Sequence, residues 1–348
     1  MLANVIVAII WVGVLAYAVF GGADFGSGMW DLLAGDAKRG AAARKRIDRS
    51  IGPVWEANHV WLIFVLVFLW TGFPDVFSAV MTALFIPFIL AGVGIIFRGG
   101  AFVFRKSSST LGQARFFGVL FASSSLITPF FFGAAAGALA SGRVPLDGDV
   151  DPWTVWLNPT SVLGGILAVG TCAWLAAVFL AADAARDDEP ELVDGFTKRA
   201  LFTGGLLGAV SLAGIVVLET DAVTLADGLE RWGAPLVVLS AAGGLSAMWL
   251  LRKGQAEAAR VPATLAVVAI VLGWGVGQYP WMLVDQIEIA DAAGADTTLW
   301  ALIVAFLIAA VTAIPALIWM LRLTNDGDLS THEVHPESSL ARLREISR

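Results

Sequence analysis

The chain has 348 residues, of which 58% are hydrophobic and only 15% charged, with a mean hydropathy of +0.79. That apolar share exceeds what a water-soluble domain carries, so the composition excludes a soluble enzyme and implies an integral membrane protein. The formal net charge of −7, with no basic stretch interleaved with aromatics, gives no footing for a nucleic-acid partner.

Apolar stretches long enough to span a bilayer, which takes roughly 20 helical residues each, follow one another near 2–30, 51–72, 76–97, 116–140, 160–183, 200–218, 233–251, 262–283 and 299–321. None alternates with period two, so helices rather than barrel strands must satisfy the backbone in lipid. The expected fold class is an all-α polytopic membrane protein of nine transmembrane helices spanning 1–323. Its first eight helices are expected to divide into two four-helix bundles, about 1–141 and 160–283, with the helix at about 299–321 outside them and a cytoplasmic tail at 324–348. The sequence permits that division without displaying a repeat. Within the tail, Ser338–Ser347 is expected to form one short helix. The first stretch has no basic leader and no A-x-A site, so it is expected to stay attached as helix one rather than be cleaved as a signal peptide.

Helix one ends in Gly21-Gly22-Ala23-Asp24-Phe25-Gly26-Ser27-Gly28-Met29, where glycines permit close helix approach around an acid. An Arg-rich loop follows, with Lys38, Arg39, Arg44, Lys45, Arg46 and Arg49. Helix two then opens with Gly52-Pro53-Val54-Trp55-Glu56-Ala57-Asn58-His59-Val60-Trp61, polar and ionisable residues at the head of a segment apolar to Trp70. Alternate loops further along hold Arg98, Arg105, Lys106 and Arg115, then Arg186, Lys198 and Arg199, then Arg252, Lys253 and Arg260, and the tail holds Arg322, Arg342, Arg344 and Arg348. All basic residues but Arg143 and Arg231 thus share one face, which predicts the N-terminus outside and the C-terminus in the cytoplasm.

A carboxylate inside a span is costly and is functional by default. Asp24 near the inner end of helix one and Glu56, about two turns into helix two, are predicted to lie at similar depth. His59 follows Glu56 by three residues and shares its helix face, a spacing that suits a short proton relay or an ion pair. The competing reading is helix-end polarity, with each acid snorkelling to headgroups or pairing with an arginine such as Arg98. For His59, a hydrogen-bonded packing role competes with the relay. Trp55, Asn58 and Trp61 flank the unit and are candidates for lining a polar cavity, with Arg98 in support.

The other histidines, His332 and His335, fall in the tail, which leaves His59 alone in the membrane and argues against His-ligated haems in this chain. Cys172 forms no intrachain disulfide and no cysteine metal cluster, so no metal site is expected, and it reads as a small packing residue. Trp30, Trp70, Trp153, Trp156, Trp232, Trp281 and Trp300 near span ends read as an interfacial belt. Gln278-Tyr279-Pro280 marks a break towards the outer end of helix eight.

Taken together, Gly22-Ala23-Asp24-Phe25-Gly26-Ser27-Gly28-Met29, the Arg-rich loop, the run from Ile51 to Ile63, and Phe97-Arg98 with Phe104-Arg105 resemble subunit II of the cytochrome bd-type quinol oxidases. These motifs cover residues 20–105; beyond them the resemblance rests on the number of spans, the chain length and the Tyr279-Pro280 region. The resemblance implies a respiratory heterodimer in the bacterial plasma membrane. Its other subunit carries two b-type haems and one d-type haem, oxidises quinol and reduces oxygen to water, while this chain binds none of the haems. It places Asp24 and Glu56 on a proton route from the cytoplasm, with His59 as a further member. A structural quinone between helices, a small single-helix accessory subunit and membrane lipid are further partners it allows. The chain departs from the family in carrying Glu56 where many members have Asp, and Gly21 where many have a second acid.

Two other functional classes remain open on the residues alone. A proton-coupled secondary transporter would also use intramembrane carboxylates, although no matching glycine or proline breaks occur in two halves. A purely structural or assembly subunit would need Asp24 and Glu56 only as paired charges.

Overall fold

A backbone in hydrocarbon has to satisfy its own N–H and C=O groups, and the computed structural model, which describes residues 1–35, 39–51 and 55–325, is helical almost throughout. The first crossing is composite: α1 (Leu2–Ala16), a π-helical turn (Tyr17–Gly21) and α2 (Gly22–Leu32) run on as one helix. Then come α3 (Ala41–Ile51), α4 (Trp55–Gly72), α5 (Pro74–Ala83), α6 (Phe85–Lys106), α7 (Leu111–Ala140), α8 (Pro159–Arg186) and α9 (Pro190–Asp221). The short α10 (Val223–Arg231) leads to α11 (Ala234–Arg252) and α12 (Ala256–Gln278). A two-stranded antiparallel hairpin, β1 (Trp281–Leu283) and β2 (Ile287–Glu288), precedes α13 (Asp296–Asn325).

Among the described residues, 8 helices are long and apolar enough to cross a membrane, and the second predicted span appears as a shorter apolar helix over Asn58–Gly72. The number of crossings therefore agrees with the sequence, while several boundaries do not. The span predicted at 76–97 breaks at Leu84, because Pro87 has no N–H for the carbonyl of Ala83 and its ring crowds that carbonyl. The crossing helix is α6, whose start at Phe85 carries Arg98 from the predicted loop into the helix interior. The Arg-rich loop folds into α3. Helix eight ends at Gln278 instead of running to 283, and the chain leaves it as the β1–β2 hairpin. The tail beyond Asn325, with the short helix expected at Ser338–Ser347, lies outside the described residues.

Residues Met1–Trp300 form one compact unit, and the chain from Ala301 forms a second, which among the described residues is the continuation of α13. Within the first unit α8 packs against α2, α7, α9 and α12, so it touches helices from both halves of the sequence. Its Leu175, Ala176, Ala177, Val178, Leu180 and Ala181 are buried almost completely. Small side chains dominate because helices in lipid associate through close packing rather than through expulsion of water.

Two glycines of α2 show how close that packing is. A Cβ on Gly26 would fall on the carbonyl oxygen of Cys172 in α8, and one on Gly28 would collide with the Ser125 hydroxyl of α7. Cys172 itself is buried against Phe25 and Met29, as its packing role required. A side chain at Gly26 has no flexible neighbour to displace, so Gly26→Val is expected to cost at least about 1–3 kcal/mol and to reduce sharply the yield of assembled protein. Co-purification at wild-type yield would contradict this packing.

The aromatic belt needs one revision. Trp70, Trp153, Trp232 and Trp300 are exposed, as belt residues should be, whereas Trp30 and Trp156 are each only 6% exposed. Trp30 instead donates its indole N–H to the carbonyl of Ala173 at 2.8 Å, and Trp156 donates to Pro152 at 3.0 Å. The Trp30 bond ties α2 to α8, while Trp156 closes a local turn and packs edge-on against Phe131 of α7, roles that proximity to a span end does not reveal.

Candidate functional site

The polar residues of the first spans converge because the first helix is locally widened. A π-helical turn detaches backbone carbonyls from the regular i→i−4 ladder, and here Asn58 Nδ2 of α4 donates to the carbonyl of Phe20 at 3.3 Å. That contact fixes the relative depth of the two antiparallel helices. With 1.5 Å of rise per residue, the backbone of Glu56 lies about 3 Å from the level of Asp24. The similar depth expected from the sequence thus holds for the backbone. The distance of Glu56 from the start of its span depends on residues 52–54, which lie outside the described residues. The side chains of Trp55 and Glu56 lie outside the described residues.

Asp24 and Arg98 form the centre of the cluster. The Arg98 guanidinium reaches Asp24 Oδ1 at 2.7 Å and Oδ2 at 3.0 Å, and its third contact is the Asp24 carbonyl at 3.1 Å. Its Nε donates to the Ser125 hydroxyl of α7 at 3.0 Å. Both charged side chains are 1% exposed. The guanidinium also lies 5.0 Å from the Phe25 ring centre and 4.8 Å from that of Phe121. Such a bidentate, aromatic-sandwiched geometry suits arginine and would be poorly served by lysine. The arginine counted as a loop residue in the sequence is therefore an intramembrane partner of Asp24.

His59, Tyr17 and Phe25 form an aromatic group beside this pair, with Phe25 shared between the two. The His59 ring centre lies 6.2 Å from that of Tyr17 and 6.1 Å from that of Phe25. Tyr17 also meets Phe25 and Phe132 edge-on. The Tyr17 hydroxyl and His59 Nδ1 are buried with no hydrogen-bond partner within the described residues. Trp61 is half-buried against Phe64, one turn further along α4. Among the expected site residues, the structure thus brings together Asp24, Asn58, His59 and Arg98. Tyr17 and Ser125 join them without having been singled out in the sequence. Tyr17 offered one signal, being one of only 2 tyrosines in the chain and lying in an otherwise apolar run.

A second layer of charge closes the basic end of the bundle. Arg105 of α6 bridges Asp31 of α2 and Asp48 of α3. Arg46 of α3, 4% exposed, binds Asp187 at 2.6 Å and Glu189 at 2.7 Å. The Arg46 hydrogen bond holds the Asp187 carboxyl below the usual carboxylate range. Ser50 donates to Asp183, which also accepts from Arg260 of α12. The apparent loop is thus an anchored helix, held by Asp183, Asp187 and Glu189 at and just beyond the end of α8 and by Arg105 of α6. Among the described residues no group of histidine, cysteine and acidic side chains is arranged to hold a metal ion.

The sequence and this arrangement of helices can now be set beside known proteins. The family model described as cytochrome bd terminal oxidase subunit II matches residues 2–324. The chain belongs to that family. It is 29% identical over 171 residues to the cytochrome bd ubiquinol oxidase subunit 2 of Bacillus subtilis strain 168, an alignment covering 48% of each chain. The match thus spans about half the length of that relative. A second protein of that organism, a putative cytochrome bd menaquinol oxidase subunit II, is 22% identical over 326 residues, covering 90% of this chain and 92% of the other. In structure, the chain resembles one from the bd oxidase of Geobacillus thermodenitrificans with a TM-score of 0.72 and 22% identity, covering 92% of this chain and 98% of that one. At that identity the likeness is one of fold, and it agrees with an all-helical, multi-pass subunit II.

Proposed function

We propose that this chain is the haem-free subunit II of a respiratory quinol:oxygen oxidoreductase in the bacterial plasma membrane. In this reading it is bound to a haem-bearing subunit I, with lipid around it and room in the complex for a small accessory subunit and a structural quinone. The observation that carries this reading is the family match across residues 2–324. The partner's two b-type haems and one d-type haem would supply the electron transfer and the oxygen chemistry. Reduction of oxygen to water consumes one proton for each electron, and this chain is proposed to deliver protons from the cytoplasm. The decisive measurement is the visible absorption of the detergent-solubilised complex captured through this chain. Haem bands are expected; a colourless, lone protein would overturn the reading and favour a proton-coupled transporter.

Within the route, Glu56 and His59 share a face of α4 at the level of the Asp24–Arg98 pair. Asp24 has both carboxylate oxygens engaged by Arg98, so it takes a proton only when that pair opens. The same engagement favours a second reading, in which the acids serve assembly alone. A charge-neutral replacement of Glu56 separates the two.

His59 packs beside the rings of Tyr17 and Phe25, and its proposed role is that of a proton group and not a haem ligand. His59→Ala is expected to leave the haem content of assembled complex unchanged by pyridine haemochrome analysis. Stoichiometric loss of one haem from intact complex would refute this.

The orientation proposed is N-terminus outside and C-terminus cytoplasmic, with α3 and the ion pairs of Arg46, Arg105 and Arg260 on the cytoplasmic side. Cysteine-accessibility labelling in intact cells, on a Cys172→Ser background, tests it. A cysteine in place of Ala295 is expected to react with an impermeant reagent and one in place of Ser330 is not. The reverse pattern would invert the topology.

A further inference from the structure

We infer that the Tyr17 hydroxyl and His59 Nδ1 hold a single water between them, which makes Tyr17 a positioning residue for proton delivery. The inference rests on the proton-route reading above and deepens it. Buried polar atoms are almost always partnered, by protein or by ordered water. Here two such atoms from different helices, both without a partner among the described residues, lie on rings whose centres are 6.2 Å apart. An orphan hydroxyl or imidazole nitrogen in hydrocarbon costs a few kcal/mol, whereas one water that finds two or more polar partners satisfies both.

Local structure explains why the hydroxyl is there. Tyr17 opens the π-helical turn, and its ring lies over Gly21, where an added Cβ would stand 3.0 Å from Tyr17 Cδ2 and 3.1 Å from Cε2. Glycine at that position therefore leaves the ring its place. Phe25 and Phe132 pack edge-on against the same ring and limit its rotation. The charges that act on both Tyr17 and His59 are Asp24 and Arg98, with the Cys172 thiol as a further neighbour of Tyr17. Because Asp24 and Arg98 are satisfied by each other and by Ser125, the two orphan atoms are, among the described residues of this cluster, the groups open to a water.

In operation the water accepts a proton from the supply side and passes one to His59 Nδ1, ending as water. Tyr17 keeps its own proton throughout and serves to hold the water in line. Removing the hydroxyl should thus slow the transfer without altering packing.

The test uses the complete oxidase complex carrying Tyr17→Phe, His59→Gln or both, with oxygen consumption per haem d measured in H2O and D2O across pH. Tyr17→Phe is expected to retain full haem content, to slow turnover by roughly threefold to tenfold and to enlarge the solvent isotope effect, which a purely structural role would not move. The double variant is expected to be no slower than the slower single variant, since both remove one shared water. Independent, multiplicative losses would overturn the shared water. Wild-type turnover and isotope effect in Tyr17→Phe, alongside a slow Glu56→Gln, would overturn this inference while leaving the route through Glu56 standing. If both variants turn over normally, the proton-route reading itself fails. Should Tyr17→Phe not assemble, a density map of the wild-type complex that resolves ordered water decides: a peak within hydrogen-bond distance of both atoms supports the inference, and its absence overturns it.

Discussion

Arg98→Leu is expected to prevent assembly of the subunit. The substitution leaves the Asp24 carboxylate, 1% exposed, without its counter-ion, and removes the donor to the Ser125 hydroxyl. Breaking a buried ion pair from one side typically costs about 3–5 kcal/mol, because an uncompensated charge remains in a low-dielectric interior. That is a large fraction of the stability of most folded proteins. Arg98→Lys should fare better and still fall short of wild type, since an ammonium replaces the charge but not the bidentate fork or the stacking between Phe25 and Phe121. The sharper expectation concerns the double variant Asp24→Asn/Arg98→Gln. It removes both charges while keeping hydrogen-bonding side chains, so it should recover assembly relative to Arg98→Leu. Yield and thermal stability of the affinity-purified complex provide the readout. An Arg98→Leu protein as stable as wild type would mean that the pair is not the anchor its geometry describes.

The sequence displayed the crossings because lipid imposes a simple length and hydropathy requirement on each of them. It misplaced the third by part of a helix because hydropathy is continuous through Leu84, whereas the backbone there answers to Pro87. That displacement matters for the site, since it carries Arg98 into the helix interior, where the pairing with Asp24 that competed with the relay reading is formed. The charge pairs that anchor α3 and close the basic end of the bundle were hidden. Arg46 finds Asp187 and Glu189, and Arg105 finds Asp31 and Asp48, across separations that local pattern cannot bridge. By contrast, Asp24, Asn58 and His59 were legible as polar residues in apolar spans, because any such residue must find a partner or a function. The π-helical turn has no comparable signature in sequence, and the burial of the Tyr17 hydroxyl with His59 Nδ1 is a property of the fold alone.

Glu56→Gln is expected to assemble with its full complement of partner haem and to turn over at least about tenfold more slowly, a loss equivalent to roughly 1.4 kcal/mol of barrier. Glutamine preserves length and hydrogen bonding but does not ionise, so the substitution removes proton transfer while sparing the fold. The position gives the expectation its force. Glu56 lies in α4 with its backbone near the level of Asp24, and His59 follows three residues later on the same helix. Asp24→Asn should slow oxygen reduction less, because Asp24 is already committed to Arg98, and its larger effect should be on stability. Glu56→Asp retains an ionisable carboxyl and should retain most of the activity, with a loss set only by the missing methylene. Quinol-driven oxygen consumption per haem d across pH distinguishes these cases. A Glu56→Gln complex, fully assembled and turning over at the wild-type rate, would leave the carboxylates with an assembly role alone.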